Sequence, residues 1–258
     1  MLLAIDVGNT QTVIGVYRGA DLVGMWRVAT NKRHTADELR IKLTPLFASA
    51  GLSFGEVRGS ALASVVPQLT QAWERALRDL TGAETLTCTA QAAAEAGLFQ
   101  ADYPSLREIG ADRVADAVAA KARYGSPVVV VDFGTATNIE VIDREGRFVG
   151  GVIAPGVETS ASALFSHATR LSAIELEDPH AAIGKSTEAA LQAGIVYGEA
   201  DRVDGLVRRI FAQLGYEASV VATGGLATCV AEQSATIAHI DPELTLEGLR
   251  LMACAARG

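Results

Sequence analysis

Four valines in succession, Val128 to Val131, run straight into Asp132-Phe133-Gly134-Thr135-Ala136-Thr137 near the middle of the chain. An unbroken β-branched run cannot leave one face in water, so it predicts a strand buried on both sides, in a sheet covered above and below. Such a strand delivers Asp132 to its end. Gly134 then permits a tight turn with close backbone approach to a ligand, and the threonine hydroxyls and turn amides that follow could hold phosphate oxygens.

The same device stands at the amino terminus. Ile5-Asp6-Val7-Gly8-Asn9-Thr10-Gln11-Thr12 lies on Val131 to Asn138 at an offset of 126 residues, and the gapless alignment goes on to pair Arg18 with Arg144, Val23 with Val149 and Gly24 with Gly150. A strand, an acidic turn and a hairpin have been used twice. Two such units predict two similar domains facing a nucleotide between them. Each Asp-Gly turn would approach from one side, where carboxylates can hold a hydrated cation and amides can bind phosphate.

At 258 residues the chain is long enough for one large domain or two ordinary ones, and the repeat favours two. A net charge of -8 gives no basic footprint for nucleic acid, and a small-molecule ligand fits better. Cys88, Cys229 and Cys254 form no C-x-x-C pair, so no zinc site or disulfide framework is signalled, and a reduced cytoplasmic setting is expected. His34, His167, His180 and His239 are scattered and read as surface or loop residues. Met1 to Ile5 reaches Asp6 too soon for a signal peptide, and no apolar run has spanning length, so no membrane partner is expected.

Leu2 to Asp6, Thr12 to Tyr17 and Leu22 to Val28 read as an antiparallel meander. Thr35 and Glu38 have capping-box spacing at the start of a helix bearing Leu39, Leu43 and Leu46. Ala61 to Val66 reads as a strand and Thr70 to Leu80 as an amphipathic helix, whereas Phe99 to Ile109 reads as loop. Gly110-Ala111-Asp112-Arg113 then opens a helix whose apolar positions run from Ala111 to Ala122 and which Gly125 and Pro127 stop. Asp112 and Arg113 fall off that apolar stripe; the plainest reading is an acid complementing the helix dipole beside a surface arginine.

Further on, a second hairpin is expected around Glu145-Gly146, closed by Gly150-Gly151-Val152-Ile153-Ala154-Pro155-Gly156. Ser160 to Phe165 reads as helix, followed by an irregular stretch to Gly184. Lys185-Ser186-Thr187 precedes a long helix to about Phe211, in which Gly194 and Gly198 stand one turn apart and would let another element pack closely. A strand at Val220 to Ala222 runs into Thr223-Gly224-Gly225, and Leu246 to Ala255 closes the chain as helix.

With these motifs placed, the chain resembles the type III pantothenate kinases of the actin-like and sugar-kinase-like ATPase superfamily. The resemblance runs nearly end to end. It rests on Asp6 to Thr10, Gly110 to Arg113, Asp132 to Thr137, Gly150 to Gly156, Ile183 to Thr187 and Thr223 to Gly225, in that order. It implies an α/β fold of two ribonuclease-H-like (actin-like ATPase) domains, taken here as 1–114 and 115–258, with a nucleotide cleft between them.

By the same resemblance, Asp6, Val7, Gly8, Asn9, Thr10, Gln11, Thr12 and Val13 would bind the ATP phosphates, with Thr135 acting from the other domain. Tyr103, Gly110, Ala111, Asp112 and Arg113 would line the pantothenate pocket with Thr187, and Asp112 would accept the proton. Asp132 would help to hold a monovalent cation, potassium or ammonium, beside Mg²⁺. The implied assembly is a cytoplasmic homodimer whose interface contributes to the substrate pocket.

The residue types suit phosphoryl transfer. A primary alcohol must attack the γ-phosphorus in line, a carboxylate can orient it and take its proton, and cations with turn amides can neutralise the charge. Four departures from the family pattern stand out, three of them where substrate-side loops should be: Ser105 and Leu106 follow Tyr103-Pro104, Glu95-Ala96 replaces a common Lys-Thr, Asn138 replaces a third threonine, and Val13 stands where some members have lysine. Two other readings remain open from sequence, a phosphotransferase of this superfamily with another acceptor and a regulatory or inactive paralogue.

Overall fold

The structure, a computed structural model, describes residues 1–167 and 174–257. They divide into two compact units, Met1–Ala119 with Leu244–Gly258, and Ala120–Glu243. Part of the irregular stretch expected before Gly184, at 168–173, lies outside the described residues.

The first unit is built on a five-stranded sheet. β1 (Leu2–Val7), β2 (Gln11–Arg18) and β3 (Asp21–Ala29) form the meander, and β4 (Gly59–Ser64) and β5 (Thr85–Thr87) extend it in the order β3-β2-β1-β4-β5. β1 is antiparallel to β2 and parallel to β4, which is why its Leu3, Ala4, Ile5 and Val7 are all sealed from water. α1 (Ala36–Ser49) starts with the expected capping box: the Glu38 amide donates to Thr35 Oγ1 at 3.3 Å and the Thr35 amide to Glu38 Oε2 at 2.8 Å. Its Leu39, Leu43 and Phe47 join Leu69, Trp73 and Leu77 of α2 (Pro67–Thr81) against the sheet. Phe47 replaces the expected Leu46 in the fully buried stripe and stacks on Phe54 with ring centroids 3.8 Å apart.

Ala90–Glu95 forms a short helix, α3, and the segment read as loop contains a 3₁₀ turn at Leu106–Glu108. α4 (Ala111–Tyr124) follows the predicted periodicity. α9 (Leu244–Ala255) belongs to the first unit, where Leu246 packs against Gly15 of β2 and Thr245 Oγ1 donates to the buried Asp116 Oδ1 of α4 at 2.6 Å. Its distance along the chain from the first sheet hid that placement.

The second unit repeats the plan. β6 (Val128–Phe133), β7 (Ala136–Ile142), β8 (Phe148–Pro155), β9 (Ser219–Gly224) and β10 (His239–Ile240) lie in the order β10-β9-β6-β7-β8, the first sheet's order strand for strand. All four central valines have no exposed surface. α7 (Gly198–Leu214) and α8 (Ala227–Ala231) supply Val203, Val207 and Val230 to the core beneath β6 and β7. α5 (Val157–His167) starts earlier than expected. The long helix expected from Thr187 is interrupted: α6 (Thr187–Gln192) passes through a π segment at Ala193–Tyr197 before α7 begins at Gly198.

The internal repeat is real, with one correction to its alignment. β1 pairs Leu2 with Tyr17 and β6 pairs Val128 with Ile142, while Val16 faces Gly24 and Val141 faces Gly150, each beside a bulge. The offset of 126 therefore holds for the first and third strands. The middle strand is shifted by one, because Val7 pairs with Thr12 whereas Phe133 pairs with Thr137. Thr12 thus corresponds to Thr137 and not to Asn138; the second Asp-Gly turn is one residue shorter, and the following hairpin loop one longer.

Candidate active site

The first Asp-Gly turn leaves β1 at the half-buried Asp6 and exposes Asn9, Thr10 and Gln11. The Gly8 amide donates to the Gln11 carbonyl at 3.0 Å and closes it. The end of β3 holds it from the side: the Thr30 amide donates to the Thr10 carbonyl at 2.8 Å, and the hydroxyls of Thr12 and Thr30 meet at 2.8 Å. Two cations reach the turn that sequence reasoning did not single out. Lys32 Nζ donates to Asn9 Oδ1 at 3.2 Å and the Arg27 guanidinium to Gln11 Oε1 at 3.3 Å. Both contacts depend on register across the sheet, which no local motif records.

The second turn leaves β6 at Asp132 and exposes Gly134 and Thr135. The Gly134 amide donates to the Ala136 carbonyl at 3.0 Å. The Thr135 carbonyl is held by the Gly156 amide at 3.2 Å and by Thr159 Oγ1 at 2.7 Å, so the expected small-residue stretch ending at Gly156 braces this turn. Behind it, the buried Thr137 hydroxyl donates to Glu199 Oε1 at 2.6 Å. Glu199 is ion-paired with Arg202 at 2.5 Å, and Arg202 in turn donates to the Pro155 carbonyl at 2.7 Å. The hydroxyl–carboxylate–guanidinium chain joins α7 to the start of β7, just after the turn, and to the end of β8.

Asp132 lies against Gly224. A Cβ there would stand 2.5 Å from Asp132 Oδ1 and 2.6 Å from the Phe133 carbonyl, and Gly224 has φ +96°, so only glycine leaves the space. That cradle gathers hard oxygen donors, which fit an alkali cation or a partly hydrated Mg²⁺. Among the described residues no group of three or more His, Cys, Asp or Glu side chains forms a metal cage.

Gly110, Ala111, Asp112 and Arg113 lie together at the first turn of α4, with Tyr103 half-buried on the preceding segment. Asp112 Oδ1 accepts from the Arg113 amide at 2.8 Å, and a Cβ on Gly110 would stand 2.5 Å from the same oxygen. The carboxyl keeps part of its surface open but is hemmed in by protein. Burial pushes its pKa above the ordinary aspartate range, against the pull of the Arg113 amide and charge. Arg113 is 8% exposed, which overturns the plain reading of a surface arginine: the polar face of this helix end is folded inward. Thr187 stands exposed at the first position of α6, in the second unit, whereas Tyr103 and Gly110 to Arg113 belong to the first.

The model of the type III pantothenate kinase family matches residues 2–209. This chain belongs to the type III pantothenate kinase family. A type III pantothenate kinase of Frankia alni is 46% identical over 257 residues, covering 98% of each chain, and one of Thermomicrobium roseum is 44% identical over 251 residues, covering 97% of this chain and 95% of that one. Among solved structures, component A of (R)-2-hydroxyglutaryl-CoA dehydratase from Acidaminococcus fermentans aligns with a TM-score of 0.59 at 15% identity, covering 99% of this chain and 98% of that one. The ROK hexokinase of Thermus thermophilus aligns with a TM-score of 0.50 at 14% identity over 100% and 99%. At such identities the likeness shows the fold alone, α/β units of the sugar-kinase and actin-like ATPase type.

The type III pantothenate kinase motifs also locate the departures. Glu95 ends α3, accepting from Gln91 at 2.8 Å, and Ala96 caps that helix. Ser105 and Leu106 form the edge of the 3₁₀ turn, and Asn138 pairs with Ile153 within the sheet. No helix among the described residues is long and apolar enough to cross a membrane.

Proposed function

We propose that this type III pantothenate kinase transfers the γ-phosphoryl group of ATP to pantothenate, giving 4'-phosphopantothenate in the first step of coenzyme A biosynthesis. The observation that carries the reading is Asp112: a carboxyl with a raised pKa, fixed by the Arg113 amide over a glycine that leaves room for it. Asp112 would orient the pantothenate hydroxyl and take its proton as the oxygen attacks phosphorus. Arg113, Tyr103, Gly110, Ala111 and Thr187 would hold the rest of the acceptor.

Asp6 to Val13 and Thr135 would take the ATP phosphates. The carboxylate of Asp6 can meet a phosphate only through a cation or water, so Mg²⁺ would be shared between it and the nucleotide. Asp132, with its glycine-lined oxygen cradle, would hold potassium or ammonium. Bound cations supply charge neutralisation to a loose transition state, where positioning accounts for most of the rate.

A cytoplasmic homodimer fits the same picture. Gly194 and Gly198 are both exposed, and a Cβ on either would meet nothing within 4 Å, so the space their missing side chains leave is open to a second copy.

The test is ADP release by the purified protein with MgATP, with and without pantothenate, in potassium and then in sodium. Release that requires pantothenate and is faster in potassium is expected. Release indifferent to pantothenate would point to another acceptor, and none at all, with ATP still binding, to a regulatory paralogue.

A further inference from the structure

The first Asp-Gly turn has a charge problem if it receives a triphosphate. Its residues, Asp6 to Val13, include one carboxylate and no cation. The sheet supplies what the turn lacks. Asp6 pairs with Val13 across β1 and β2, and Val13 pairs with Arg27 across β2 and β3, so the three side chains stand in one row on one face. Gln11, two residues before Val13, shares that face, and it is Gln11 Oε1 that receives the Arg27 guanidinium at 3.3 Å. From beyond the end of β3, Lys32 reaches the other turn amide, Asn9, at 3.2 Å.

Each cation occupies the carbonyl oxygen of its amide. The remaining polar atoms of Asn9 and Gln11 are then NH₂ donors, which can serve an anion and not another cation. Both cations are exposed, so neither is committed to a buried partner. In the second hairpin the matching row runs Asp132, Asn138, Ile153 and carries no cation. The cation near the second turn, Arg202, is ion-paired with the buried Glu199, unlike the two at the first turn.

We infer that Arg27 and Lys32 form a cationic clamp that binds the polyphosphate of ATP at the first Asp-Gly turn, with Asn9 and Gln11 turned by them to present N–H donors. The inference rests on the reading of that turn as a phosphate site. Charge-assisted hydrogen bonds to phosphate are the strong ones, and arginine adds a planar fork.

The experiment is calorimetric titration of Arg27→Gln, Lys32→Gln and the double variant with ATP and with AMP, beside Thr10→Asp, which puts a carboxylate on the exposed turn. The ATP dissociation constant should rise about tenfold in each single variant and further in the double one. AMP affinity and the KM for pantothenate should be unchanged, and Arg27→Lys should recover part of the loss. The clamp is overturned if the double variant binds ATP as the wild type does while Thr10→Asp binds it poorly. If Thr10→Asp is also without effect, the reading of the turn as a phosphate site falls, and the clamp with it. Thermal melting of the variants, all at exposed positions, keeps a folding defect from passing as lost binding.

Discussion

In the first hairpin the row that starts at Asp6 passes Val13 and ends on Arg27; in the second, the row that starts at Asp132 passes Asn138 and ends on Ile153, which is 66% exposed. Strand order, cross-strand pairing and bulge position correspond in both, apart from the one-residue slip that shortens the second turn. The buried residues that fix the backbone are interchangeable hydrophobes: Leu3, Ile5 and Val7 in one, Val129, Val131 and Phe133 in the other. What differs is the set of groups presented at the turn. The first turn is touched by two cations through side-chain amides, whereas the second is braced from behind through Thr137, Glu199 and Arg202. A duplicated scaffold thus preserves geometry through its core and divides labour through its rim.

That division can be broken most severely at the carboxylates. Asp132→Asn should cost about a hundredfold in potassium-stimulated kcat/KM, the scale of one lost electrostatic contact to a transition state, and should move the potassium titration. Asp6→Asn should impair ATP use without moving the potassium midpoint. Equal potassium shifts in both variants would erase the proposed difference between the turns.

The buried threonines sharpen the comparison at the level of stability. Thr137→Val leaves the Glu199 carboxylate without its hydroxyl donor and should cost about 1.5–3 kcal/mol in urea unfolding, the range for a hydrogen bond to a charged group. Thr12→Val breaks a neutral hydroxyl pair with Thr30 and should cost about 0.5–1.5 kcal/mol. If the two costs are equal, the charged brace adds nothing to the second turn.

The smallest expected effect lies outside both hairpins. The Asp112 pKa is raised in the folded protein, so the folded state holds its proton more tightly than the unfolded one does. The stabilisation this gives is complete below the ordinary aspartate range and is lost as pH rises through the raised value. Asp112→Asn should therefore melt slightly above the wild type at neutral pH, with the difference shrinking as the solution is acidified. A difference independent of pH would mean that the carboxyl is not the cause.

Much of this architecture was legible in the residues. The valine run, the two Asp-Gly turns, the Thr35 capping box and the Gly125-Pro127 stop each have a local physical cause, and each appears where that cause put it. Gapless alignment missed the one-residue slip between Thr12 and Thr137, because a shorter turn is offset by a longer hairpin loop and both flanks stay in phase. β5 and β10 are too short to carry periodicity. The return of α9 to the first sheet arises from packing between segments far apart in the chain, and the contacts of Lys32 and Arg27, 23 and 16 residues from their partners, arise from how the meander's strands pair.

Asp112→Asn, assayed for pantothenate-dependent ADP release at saturating ATP and titrated with ATP in parallel, decides whether Asp112 is the proton acceptor. Turnover should fall by about 10²–10⁴, the worth of a positioned general base, with ATP affinity unchanged. Turnover close to wild type would contradict that role and remove Asp112 as the proton acceptor.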